Sequence, residues 1–569
     1  MKKLVLSIFI FSSVLFSQAK FDSFYMHRLK SKNPKNSGKE LYLKYCAVCH
    51  HKNRIGISAP PLLPYFLKKL NDKELYNIIK NSLPDTLMPK FDFLSKEEID
   101  SIIKFLRTPV KNISWTIKDI KKSYKKFYNK IKDLKIKDIK NVTLVVERGN
   151  NKVWIMENQK ILDKFSFRNV HGGLKYTLDG KNFYVPTRDG WIGHYSLEEG
   201  RLKDKIRACI NLRNISLSRD GKKIFATCLL PQSVVILDSQ TLQPIKKEDV
   251  KGKISALYGL YSKDEAIFTF RDRPLLAKID TKTLKIKYFK LKDPVEDFFI
   301  DPFEEYIIGT TRRGSKLNVY DLSSLKEVFQ ADIKGMPHLF SATYWYKNGK
   351  FYFATPHIGT PFVTIWQMYD WKLIKKVKIG KSGGFFVKTH PASDYLWADN
   401  HADELVLIDK DNYSVKKIVP VKGKRYIHVE FSGDGKYSYL SIYEPDGYLL
   451  VWQTDTFKEL KRYKANMPIG KYNFINKNRV FYPKLFGETI FKEKCWGCHH
   501  QTAQAFGPSF SQIAKTRNRG EIISQILDPK HTYKELDYTR NSMPAFKLNS
   551  KELKSIVDYI ESWKNFKDE

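Results

Sequence analysis

Cysteine is scarce in this chain, with six among 569 residues. That scarcity excludes a small scaffold stapled by disulfides. Carboxylates are also short: 61 Asp and Glu stand against 100 Lys and Arg, for a formal net charge of +39. An acidic solvating chain is therefore excluded. Beyond the first residues no apolar run approaches membrane-spanning length, which argues against a polytopic membrane protein. The cysteine that is present is concentrated. Four of the six stand in Cys46-Ala47-Val48-Cys49-His50 and Cys495-Trp496-Gly497-Cys498-His499. Cys-x-x-Cys-His is the attachment motif of haem c. Two thiols three positions apart can each form a thioether to one porphyrin, and the adjacent His then falls under the iron. The expectation is two covalent haem c, held through Cys46 and Cys49 with His50 on the metal, and through Cys495 and Cys498 with His499. A zinc knuckle or a dithiol redox pair is the competing use of this spacing. Cys209 and Cys228 read as a disulfide or as two buried thiols, and the sequence leaves both open.

Lys2-Lys3, the apolar stretch Leu4 to Phe16 and the small-residue site Ser17-Gln18-Ala19 read as a signal peptide over 1–19, cleaved near Ala19. The mature protein is expected to be soluble and periplasmic, with no membrane span. The positive charge is spread through nearly every segment instead of forming one tract, so nucleic acid is not an expected partner. A dispersed cationic surface suits anions and acidic periplasmic electron-transfer proteins.

Residues 36–108 read as a small helical domain: Glu40 to Tyr45, then Asp72 to Leu83, then Ile99 to Leu106 behind a capping start at Ser95-Lys96-Glu97-Glu98. Leu87-Met88-Pro89 lies about forty residues after the first motif, where a thioether can complete a His/Met iron. Residues 480–566 repeat the plan, with Ser542-Met543-Pro544 and then Ser550-Lys551-Glu552 opening a helix Leu553 to Trp563. Both ends resemble class I cytochromes c, and the resemblance makes Met88 and Met543 sixth ligands. His51, His500 and His531 read as solvated surface residues. Residues 109–141, rich in Lys, read as a linker or a helix lying on the next domain.

Between about 142 and 477 the texture changes to short β-rich runs and Gly/Asp/Asn turns. A similar apolar strand recurs from Lys152, Ile192, Val234, Leu276, Leu317, Val363, Leu405 and Leu449, at spacings of 40, 42, 42, 41, 46, 42 and 44. A repeat of this length with four strands is a propeller blade, read here as ending in that strand. Eight recurrences predict eight blades, with Lys471 to Ile475 closing the ring onto the first. The fold class is thus an all-β eight-bladed propeller flanked by two all-α class I cytochrome c domains.

Gly383-Gly384-Phe385-Phe386-Val387-Lys388-Thr389-His390-Pro391, Val429 to Gly435, Pro468 to Asn473, Arg188-Asp189-Gly190 and Val170-His171 resemble blocks of the haem d1 propeller family. That family includes the cytochrome cd1 nitrite reductases and a c-haem-bearing dehydrogenase branch that makes the final acrylate double bond of haem d1. The resemblance implies one non-covalent haem d1, as cofactor or in its dihydro form as substrate. It makes His171 the proximal iron ligand, and Arg188 and Arg213 clamps on the macrocycle's carboxylates, with Lys388 and Arg425 further candidates. His357 and His390 match the reductase's distal pair, suited to hold nitrite and deliver protons to it. His338 and His428 are additional inner-rim candidates, and His194 and His401 read as ordinary surface. His171-Gly172-Gly173-Leu174, Met336-Pro337-His338 and His428-Val429-Glu430 look more like the dehydrogenase branch, whose pattern lacks a His at the position of His357.

Three functions compete. Retention of His357 and His390 puts reduction of nitrite to nitric oxide first. A dihydro-haem d1 dehydrogenase of haem d1 biosynthesis is the alternative, and a non-catalytic d1 carrier or electron-transfer protein the third. Relatives suggest a homodimer. The second cytochrome c domain fits neither branch's usual layout.

Overall fold

The computed structural model describes residues 37–565 except 69, 83–87, 111–112, 171, 312–314 and 382. The expected signal peptide and His171 lie outside the described residues. No helix among the described residues is long and apolar enough to cross a membrane.

Helix α1 (Gly38–Tyr45) starts at Ser37, whose side chain accepts from the Glu40 amide while the Glu40 carboxylate accepts from the Ser37 amide. The same reciprocal cap opens α3 (Asp72–Asn81) at Asn71 and α4 (Lys96–Arg107) at Ser95. Between them, the single turn α2 (Ala47–His50) carries the first motif. Tyr42, Leu75, Ile79, Ile99 and Ile102 close one small core among these helices. The stretch expected as a linker or a helix lying on the next domain is strapped to the propeller. Its helix α5 (Ile117–Ser123) is followed by Lys125–Lys126, which pair antiparallel with Asp204 and Lys205 at the rim of the second blade.

Eight antiparallel sheets form the ring. The recurring apolar strand is the third of each blade, not its last. A fourth strand follows at the rim, as in Lys372–Lys378 and Val415–Ile418, mostly exposed and Lys-rich. Facing water on one side, such a strand has no apolar run to announce it. These rims also explain how so much positive charge is accommodated without a single basic tract. Pro468–Asn473 pairs with Val142–Glu147 and closes the ring. It begins three residues before the expected Lys471, and Phe474–Lys477 already form the short helix α6.

All inner strands run in the same direction, which gives the propeller a leading face, where they begin, and a trailing face, where they end. The N-terminal helices sit on the leading face. Leu63 packs on Ile210 and Leu230, and the Lys253 ammonium lies 4.7 Å from the centroid of the Phe66 ring. The C-terminal helices cover the trailing face: α7 (Tyr482–Lys494), α8 (Phe510–Thr516), α9 (Arg519–Leu527), α10 (Pro529–Glu535) and α11 (Ser550–Glu561). The cap of α11 is Asn549, one residue before the expected Ser550. Phe486 of α7 lies 5.9 Å from Phe303 and 5.2 Å from Phe351, in one apolar cluster continuous with blades five and six. Tyr346 donates to Glu552 at 2.6 Å, and Lys551 pairs with Glu305 at 2.7 Å. Cys209 and Cys228 form a disulfide in blade three, with Cα atoms 6.1 Å apart.

Candidate functional site

Both haem motifs present the same local geometry from unrelated loops. His50 Nδ1 donates to the Pro60 carbonyl at 2.7 Å, and His499 Nδ1 to the Pro508 carbonyl at 2.8 Å. A ligating imidazole is held this way, with its second nitrogen left for the metal. At Gly507 any Cβ would stand 2.5 Å from the His499 ring, so glycine is what lets the ring sit there. Met88 is half-buried in the core that contains Cys46, and Met543 packs in the cluster that contains Cys495. Among the described residues no three His, Cys, Asp or Glu side chains gather as a zinc site requires. The donors present fit haem c at both ends.

The second constellation lies on the leading face, built from turns between second and third strands and from the starts of inner strands. Arg188 in blade two is half-buried. Burial, with Arg271 and Arg148 nearby, pushes its guanidinium down to about 10. Such clustering of like charges calls for an anionic occupant. Arg213 donates to the Ser255 carbonyl at 2.6 Å and stacks 4.9 Å from Phe340. Arg425 stacks 4.9 Å from Tyr443, which accepts from Arg148 at 3.1 Å.

Across from these cations stand Phe385 and Phe386. Asp399 holds their turn by accepting from the Phe385 amide at 2.7 Å. His338 Nδ1 donates to the Phe385 carbonyl at 2.7 Å, and its ring lies 6.1 Å from Phe386. The His428 ring lies 4.6 Å from the other side of Phe386. His428 is 5% exposed, has φ of 57°, and its Nδ1 has no hydrogen-bond partner. Burial first, then Lys471, Lys477 and Lys388, hold it well below the usual imidazole range. A strained backbone presenting an unpaired ring nitrogen is a functional signature. The segment next to His171 is pinned: Gly173 donates its amide to Tyr472 Oη at 2.7 Å, and Gly172 has φ of +117° with Tyr472 Oη 2.3 Å from any Cβ. Guanidiniums, flat aromatic walls and imidazoles fit a planar polycarboxylate such as haem d1.

Three expected residues lie elsewhere. His357 is wholly buried inside blade six, with Nδ1 2.9 Å from the Lys334 carbonyl and Nε2 2.9 Å from Thr364 Oγ1. Both its nitrogens are committed. His390 follows the inner strand of blade seven at the trailing face, where its electrostatic neighbours include Glu488 and Lys492 of α7. The two therefore do not share a pocket. Lys388 lines a cavity of about 50 Å³ at the seam with α7, beside Tyr344, Glu430 and Tyr482. Burial and the neighbouring Lys477 push its ammonium down to about 7 against the pull of Glu430.

Two surface expectations are also corrected. His194 is buried, 2.9 Å from Asn182 Oδ1 and 3.2 Å from Asp204, and His401 packs 4.5 Å from Phe385 in the histidine cluster. Sequence reasoning missed Arg148, Arg271, Phe385 and Phe386. The arginines carried a usable signal, since each occupies the same turn of its blade as Arg188.

The propeller and the Cys-x-x-Cys-His segments on either side of it define a cytochrome c–propeller protein. The model of the cytochrome D1 heme domain matches residues 137–477, and the chain belongs to that family. The model for cytochrome c oxidase, cbb3-type, subunit III matches 33–106, and that for cytochrome c matches 486–564. The dihydro-heme d1 dehydrogenase of Pseudomonas aeruginosa is 32% identical over 464 residues, covering 77% of this chain and 94% of that protein. A nitrite reductase of Stutzerimonas stutzeri is 22% identical over 527 residues, covering 78% of this chain and 93% of its own. The solved structure of dihydro-heme d1 dehydrogenase NirN in complex with DHE superposes with a TM-score of 0.65 at 30% identity, covering 77% of this chain and 99% of that one. The likeness thus favours the dehydrogenase over nitrite reduction, which the sequence put first.

Proposed function

We propose that this protein is a periplasmic oxidoreductase that dehydrogenates dihydro-haem d1, binding the tetrapyrrole as substrate on the leading face of the propeller. The observation that carries this reading is which histidines meet there. His338 and His428 flank Phe386, whereas His357 and His390, the pair nitrite reduction calls for, do not. Likeness to the dehydrogenase supports the same choice.

Forming the double bond removes two hydrogens from adjacent carbons, as two protons and two electrons. When attached, two haem c supply two one-electron acceptors. The chain's own part is to bind and to take protons. Arg188 and Arg213 pair with substrate carboxylates. His428 is kept neutral by burial and is a base with a free nitrogen, and His338 is oriented by its bond to the Phe385 carbonyl. His171 is the proposed axial ligand. Export behind a cleaved leader, the boundaries 36–108, 142–477 and 480–566, and axial Met88 and Met543 belong to the same proposal.

Anaerobic mixing of the oxidised holoprotein with dihydro-haem d1 tests it. The expected result is appearance of reduced haem c bands together with a product lighter by two hydrogens. Release of nitric oxide from nitrite by reduced protein that retains haem d1 would overturn it.

A further inference from the structure

The seam between the propeller and α7 holds a second polar site, on the face opposite the arginine and histidine constellation. Its cavity of about 50 Å³ is several times the ~10–15 Å³ that one water needs. Inner strands of blades six, seven and eight supply Thr343, Lys388 and Glu430, and a turn of blade seven supplies Lys410. Asn476 of α6 and Thr489 of α7 complete the wall. The charged groups lining the cavity are thus two ammoniums and one carboxylate. The carboxylate, Glu430, is 1% exposed and already pairs with Lys477 at 3.0 Å. Lys410 donates to the His390 carbonyl at 3.1 Å and to the Ser393 carbonyl, which engages two of its three N–H groups. Burial, with Lys347 and Lys492 nearby, pushes its ammonium down to about 7 against the pull of Asp394, as burial beside Lys477 does for Lys388. Positive charge exceeds negative in a site withdrawn from water, an imbalance that a bound anion removes. Asn476 makes the opposite demand. Its Nδ2 donates to the Phe431 carbonyl at 2.9 Å and to Glu430 Oε1 at 3.3 Å, which fixes the orientation of the amide. Its Oδ1 is buried without a hydrogen-bond partner among the described residues and calls for a donor.

We infer that this seam binds one small oxyanion that keeps a hydroxyl at neutral pH, hydrogen phosphate or hydrogen carbonate. Lys388 and the third N–H of Lys410 donate to its charged oxygens, and its hydroxyl donates to Asn476 Oδ1. Sulfate and nitrate carry no hydroxyl at neutral pH and would set an acceptor against that oxygen, so the site discriminates against them. One wall belongs to α7, so the anion binds only while the C-terminal helices are seated on the propeller. Occupancy in turn holds those helices in place.

The test is calorimetric titration of the full-length holoprotein in Tris chloride with sodium phosphate, bicarbonate and sulfate at matched ionic strength. Expected is a single saturable site per chain for phosphate or bicarbonate, the tighter of the two identifying the occupant, with sulfate at least about tenfold weaker. Tm is expected to rise with the concentration of the anion that binds. Lys388→Met should weaken binding by roughly tenfold or more and abolish that rise. Lys410→Met should do the same, and serves as the second variant if Lys388→Met fails to fold. Lys121→Met, at an exposed lysine of α5, should change neither binding nor the rise in Tm. No saturable binding of either anion, sulfate bound as tightly, a folded Lys388→Met or Lys410→Met protein that binds like the wild type, or equal weakening by Lys121→Met would each overturn the inference.

Discussion

Burial ties the charge of three propeller histidines to stability. His357 is pushed down to about 4 by burial, and His390 and His428 are lowered for the same reason. An unfolded imidazole binds a proton below about 6.5, whereas folded His357 does so only near 4. Unfolding therefore takes up a proton between those values, and stability falls as pH drops through the window. For His357 alone the loss is on the order of 3 kcal/mol, read as a falling Tm between pH 6.5 and 4. His357→Ala should flatten that profile and cost about 2–4 kcal/mol, through two lost hydrogen bonds and a cavity, without weakening tetrapyrrole binding. His428→Ala should lower dehydrogenation by roughly 10²-fold, and it should also flatten the fall of Tm toward low pH. His338, His428, Arg188 and Arg213 stand out in the sequence because of their distinctive local wording, and the fold brings them to the leading face. Such wording misplaces His357 because it is silent on direction: the ring turns into its blade to reach Thr364.

At the scale of elements, the C-terminal helices are held far more firmly than the N-terminal ones. Phe486 is buried among Phe303, Phe351 and their neighbours in a cluster that unites α7 with two blades. The leading-face contact has three fully buried residues, Leu63, Ile210 and Leu230. Phe486→Ala should therefore cost about 3–5 kcal/mol and expose the 477–482 connection to proteolysis, checked by thermal unfolding and limited digestion. Blade number and ring closure were legible, since an apolar third strand returns at nearly constant spacing. The fourth strands were not, because half-exposed Lys-rich strands resemble loops. Element ends were set by caps such as Asn71 and Asn549, whose side chains reach the first free amides.

On the scale of the whole molecule, the propeller separates one Cys-x-x-Cys-His segment on its leading face from the other on its trailing face. At the trailing end of the inner strands Lys477 pairs with Glu430 at 3.0 Å and Arg479 with Glu304. Both basic residues come from the segment that leads into the C-terminal helices. On the dehydrogenase reading the tetrapyrrole binds at the leading face, beside the N-terminal domain, and Arg188→Ala should raise KM for it roughly tenfold or more. The face each domain covers was not legible, because it depends on which side of a helix pair meets the blades. On the dehydrogenase reading the tetrapyrrole is turned over and released. The direct measurement is the number of haem d1 molecules formed per protein from excess dihydro-haem d1, with an external electron acceptor present. A dehydrogenase forms many equivalents, with the product free in solution. A single equivalent that stays bound, in protein that then converts nitrite to nitric oxide, would contradict it.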